Sequence, residues 1–91
     1  MGGSVDVRVE FTVYPFREGE TPPPHVEAAI EEIRKAGLEV VIGTLGQAVT
    51  GEAGAVFEAL RSAEAAAMSA GATRMVLSIE LEGKDAAPKD R

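Results

Sequence analysis

Cysteine and tryptophan are absent from the 91 residues, histidine occurs once, and aromatic residues make up 4% of the chain. Without cysteine there can be no disulfide framework, no thiolate nucleophile and no cysteine-based metal site. A lone histidine leaves any transition-metal site to carboxylates, and it leaves a nucleophile–base–acid triad with one candidate base, His25. No serine stands in a nucleophile-elbow context, which argues against acyl-transfer chemistry. Positive charge is also scarce. Nine Lys and Arg face 15 Asp and Glu, for a net charge of -6, and a phosphate backbone draws its affinity from clustered cations that this chain lacks. No run approaches the about 20 apolar residues that span a bilayer. The start, Met1-Gly2-Gly3-Ser4, has no basic segment followed by an apolar one, so a cytoplasmic location is expected.

What is present is an ordinary globular composition, 45% hydrophobic and 26% charged, in a length that suits one domain near the small end of independent folding. Residues 5–82 are expected to form it, with a charged tail over 83–91. Val5, Val7, Val9, Phe11 and Val13 alternate with Asp6, Arg8, Glu10, Thr12 and Tyr14, which predicts a strand that Pro15 closes. A loop over 16–24 carries three consecutive prolines. Val26, Ala29, Ile30, Ile33 and Ala36 then recur at helical spacing, acids early and bases late, up to a stop at Gly37. Leu38, Val40 and Ile42 begin a second strand, and Gly43-Thr44-Leu45-Gly46 turns into a short third strand, Gln47 to Thr50. A second helix carries Val56, Leu60, Ala63, Ala67 and Ala70 along one stripe, with Phe57 at its flank. The final strand places Met75, Leu77, Ile79 and Leu81 inside, and Val76, Ser78, Glu80 and Glu82 outside.

This order, βαββαβ with two amphipathic helices, predicts an α+β, ferredoxin-like sandwich. Its four-stranded antiparallel sheet carries both helices on one face, the first and third strands centrally and the second and fourth at the edges. The opposite face, with Arg8, Thr12, Tyr14, Val41, Ala48 and Thr50, is apolar enough to meet a subunit or a ligand.

The glycines at 43, 46, 51 and 54 match neither the P-loop nor the dinucleotide fingerprint, and a turn and a helix start account for them. His25 reads as an exposed residue of the first helical turn. Three features point to binding: Tyr14 and Phe16, rings that flank Pro15 and could stack on a flat ligand; Gln47 and Thr50, with amide and hydroxyl groups on a central strand; and Glu52, able to hold a cation or to interact with a helix dipole.

The segments Val13-Tyr14-Pro15-Phe16, Leu45 through Glu52, Val56-Phe57 and Gly71-Ala72-Thr73-Arg74 fall in an order that resembles the YkoF-like thiamine-binding proteins, from about Val5 to Leu81. The resemblance implies a ferredoxin-like fold, dimers or tetramers built as dimers of dimers, no enzymatic activity, no cofactor, and thiamine or its hydroxymethylpyrimidine half as ligand. It places Tyr14, Phe16, Gln47 and Thr50 in the ligand-contacting regions. Gln47 stands where many relatives carry a small hydroxyl residue. The competing expectation is an oligomeric interaction module with no small-molecule ligand.

Overall fold

A computed structural model describes residues 5–15, 22–43 and 46–82. Phe16 and the tail over 83–91 lie outside the described residues. The elements are β1 (Asp6–Tyr14), α1 (Pro24–Lys35), β2 (Val40–Ile42), β3 (Gln47–Glu52), α2 (Ala53–Ser69) and β4 (Arg74–Leu81). They form the expected α+β sandwich. The sheet runs β2-β3-β1-β4 with every neighbouring pair antiparallel, so β1 and β3 are central. None of the described helices is long and apolar enough to cross a membrane.

Alternation in β1 decides the core. Val7, Val9, Phe11 and Val13 are buried beneath the helices, while the even-numbered residues face the other way. From α1, Ala29, Ile30 and Ile33 join this core, and from α2, Val56, Ala59, Leu60, Ala63 and Ala67. The alanine stripe lets the two helices approach closely; their mutual contact is the most extensive between any two elements. Both helices end as the glycines predict, with Gly37 at φ 85° and Gly71 at φ 111°, where a side chain would be strained.

Several expectations are corrected. β3 runs two residues further, to Glu52, and passes directly into α2. Ala36 and Ala70 are exposed helix ends, not core. His25 is buried, at 6% exposure, and its Nε2–H donates to the Pro15 carbonyl at 2.7 Å. The ring thus ties the exit of β1 to the first turn of α1, a partner that no local pattern discloses. His25→Ala is expected to cost about 1–2 kcal/mol, because it removes the donor and leaves a cavity. Urea unfolding checks this, and an unchanged midpoint would show that the tie is dispensable.

The largest correction concerns β4. Its register sets Met75, Leu77, Ile79 and Leu81 opposite Val13, Phe11, Val9 and Val7, on the helix side as expected. Yet Leu77 is 43% exposed, and Ile79 and Leu81 are 53% exposed. The helices pack on β1, β2 and β3 and leave the helix side of β4 largely uncovered.

Candidate functional site

On the face away from the helices, β1 presents Arg8, Glu10 and Thr12, and β2 and β3 contribute Val41 and Ala48 from paired positions. These residues border a concavity of about 420 Å³, together with Phe11, Gly43, Gly46 and Gln47. Such a volume falls within the range of about 300–1,000 Å³ typical of small-molecule sites.

Gly43 N–H donates to the Gly46 carbonyl at 2.7 Å, which brings this end of the β2–β3 connection against β1. A Cβ built on Gly46 would lie 2.8 Å from Thr12 Oγ1 and 2.9 Å from the Phe11 carbonyl oxygen. Only glycine fits there.

Gln47 borders the concavity through its place in β3, while its pairing opposite Phe11 and Ile42 sets its side chain on the helix side of the sheet. Its Oε1 is shielded from solvent and, among the described residues, has no hydrogen-bond partner. An amide oxygen in that state is destabilising unless something supplies a donor.

Arg8 donates to the Glu10 carboxylate across the concavity's polar side. That hydrogen bond, with the nearby charges of Glu10, Glu80 and Glu82, raises the guanidinium pKa above its ordinary value. Arg8 is thus set among three carboxylates, so the local field around it favours a positively charged ligand.

The residues singled out from sequence are distributed unevenly. Gln47 lines the concavity. Tyr14 lies one step beyond Thr12 on the same face, about 7 Å along the strand, and its ring holds the Arg74 guanidinium 4.6 Å from its centroid. Thr50 is exposed on that face opposite Arg8, one step from Ala48. Glu52 is exposed and caps α2, accepting from Ala55 N–H at 3.0 Å. Of its two expected roles, the structure displays the helix-dipole one. Arg8, Glu10 and Gly46 were not singled out as site residues. The mixed character of the outer face was the signal that could have found the first two.

Solved structures share this architecture. A domain of unknown function from Bacillus cereus has 25% identity and a TM-score of 0.65, covering 89% of this chain and 78% of its own. A hypothetical protein from Methanocaldococcus jannascii has 23% identity and a TM-score of 0.63, with coverage of 94% and 84%. A Thermotoga maritima protein, named provisionally for thiamine biosynthesis or salvage, has 23% identity and a TM-score of 0.63, with coverage of 92% and 89%. No curated protein matches the chain. The family described as thiamine-binding protein matches residues 9–89, from within β1 past the end of β4. The chain belongs to the thiamine-binding protein family.

Proposed function

We propose that this protein is a non-enzymatic, cytoplasmic binding protein that takes up thiamine, or its hydroxymethylpyrimidine moiety, in the concavity beside Gln47 and works as a homo-oligomer. The observation that carries the reading is the concavity on the outer sheet face, bordered by the apolar Val41 and Ala48 and by the Arg8–Glu10 pair. An aminopyrimidine presents an amino donor, and the Glu10 carboxylate that borders the concavity offers an acceptor for it. Val41 and Ala48 supply apolar contact for a ring. The acidic surroundings of Arg8 suit the thiazolium charge. Tyr14, beyond Thr12, and Thr50, beyond Ala48, extend the same face at its rim. Family membership and the name of the Thermotoga maritima neighbour support the ligand class.

Gln47→Leu separates binding from stability. It removes a buried acceptor without a partner, so the ligand-free protein is expected to be as stable as the wild type, or more stable by about 1 kcal/mol. Affinity for thiamine or hydroxymethylpyrimidine is expected to stay within about threefold of the wild type, because the Gln47 side chain lies on the helix side of the sheet, whereas Glu10→Ala is expected to lower it by roughly 10-fold, the loss of one charge-assisted hydrogen bond. Isothermal titration and thermal melting read the two effects. Wild-type heats equal to dilution at high micromolar protein, with both ligands, would refute the reading.

A further inference from the structure

We infer that the concavity selects its ligand by charge: it admits a cationic or neutral ring compound as the free alcohol and turns away the phosphate ester of the same compound, with Glu10 and Glu80 as the deciding residues. This narrows the ligand class of the proposed function and rests on that reading. Strand register places the charges. Arg8 stands opposite Thr50 of β3 and Glu80 of β4. On its own strand it is flanked by Asp6 and Glu10, two residues either way and so on the same outer face. Glu82 lies beside Asp6, where its N–H donates to the Asp6 carbonyl. Arg8 and Glu10 are the charged residues among those bordering the concavity, and they are hydrogen-bonded to each other. The second described cation of this face, Arg74, is held over the Tyr14 ring at the other end of β1.

Proteins hold a phosphate ester with unpaired guanidinium or ammonium groups, with a helix N-terminus, or with a cradle of free backbone N–H groups. The described residues that border this concavity provide none of these. The Arg8 guanidinium already donates to Glu10, and Glu80 on the neighbouring strand opposes any anion drawn towards it. Both helices cover the opposite face of the sheet, and no helical residue borders the concavity. β1 and β3 are central strands, paired on both sides. A phosphate ester, with about two negative charges at neutral pH, therefore meets more carboxylates than cations. For an amine or a ring cation the same field is attractive. Juxtaposed like charges are a means of rejecting one ligand while keeping another of the same shape.

Isothermal titration with thiamine, hydroxymethylpyrimidine and the monophosphate ester of each tests this at about 20 mM and about 500 mM salt, between which the screening length falls from roughly 20 Å to roughly 4 Å. At low salt each ester is expected to bind at least about 10-fold more weakly than its parent alcohol, and the gap should shrink severalfold at high salt. Glu80→Lys lies outside the border of the concavity. It should strengthen binding of both esters by about 10-fold and leave the uncharged hydroxymethylpyrimidine within about twofold of the wild type. Glu10→Gln, which frees Arg8, should raise the ester-to-alcohol affinity ratio by at least about 10-fold. Circular dichroism checks that both variants fold. If neither alcohol binds the wild type, the binding reading and this selection fall together. If the alcohols bind and their esters bind equally well, only the selection by charge is overturned. A preference for the alcohols that ignores salt and both substitutions would be steric exclusion of the ester group, and overturns it as well.

Discussion

Phe11→Ala is expected to lose about 3–5 kcal/mol of stability, the largest effect of any single truncation in this chain. Phe11 is 1% exposed and the bulkiest of the fully buried side chains. It lies mid-strand between Gln47 of β3 and Leu77 of β4, under both helices. Removing the ring takes away its transfer free energy and leaves a void that a close-packed layer fills only in part. Domains of this size have total stabilities of about 5–15 kcal/mol, so the loss amounts to about a fifth or more. Guanidinium unfolding with Phe11→Leu alongside gives the scale, the leucine variant falling between. A deficit under about 1 kcal/mol for the alanine would mean that the core collapses around the site, against the packing described here.

Gly46→Val is expected to destabilise the fold by about 1–3 kcal/mol and to abolish ligand uptake. Even the first added carbon would lie under 3 Å from both Thr12 Oγ1 and the Phe11 carbonyl oxygen. Thr12 can rotate; the carbonyl belongs to the central strand and cannot. Gly46 must therefore move away from β1, and the concavity loses the border formed by Gly43 and Gly46. Gly46→Ala should show the same direction at smaller size. Unfolding and titration on the two variants check it. An alanine variant that binds and melts like the wild type would show that Gly46 does not approach β1 this closely.

Much of the fold was legible because its signals are local and repeated. Val7, Val9, Phe11 and Val13 mark a strand at period two. Val26, Ala29, Ile30 and Ile33 mark a helix at 3.6, and the handedness of the two crossovers then leaves one strand order. The exposure of Leu77, Ile79 and Leu81 was not legible, because their alternation matches that of β1 and only the reach of the two helices across four strands distinguishes covered from bare. His25 misled for a related reason: its partner, the Pro15 carbonyl, is ten positions away and acquires meaning only once α1 has folded back.

In the candidate site, Gln47 could be chosen as an amide on a central strand. Its setting depends on long-range register: Gln47 opposite Phe11 turns its side chain to the helix side, whereas Arg8 opposite Thr50 and Glu10 opposite Ala48 face outward. Aromatic stacking was the part least supported by the observed geometry. Tyr14 stands under Arg74, beyond the lining residues, because two residues along a strand carry a side chain about 7 Å away.

β3 ends at Glu52 and α2 begins at Ala53, with no residue between, while Ala53 N–H donates to the Val5 carbonyl at 2.8 Å. The helix therefore inherits its rotational phase from the strand. One residue added or removed at this junction would turn α2 by about 100°, swinging Val56, Leu60 and Ala63 away from the sheet. At this junction, chain length is part of the code.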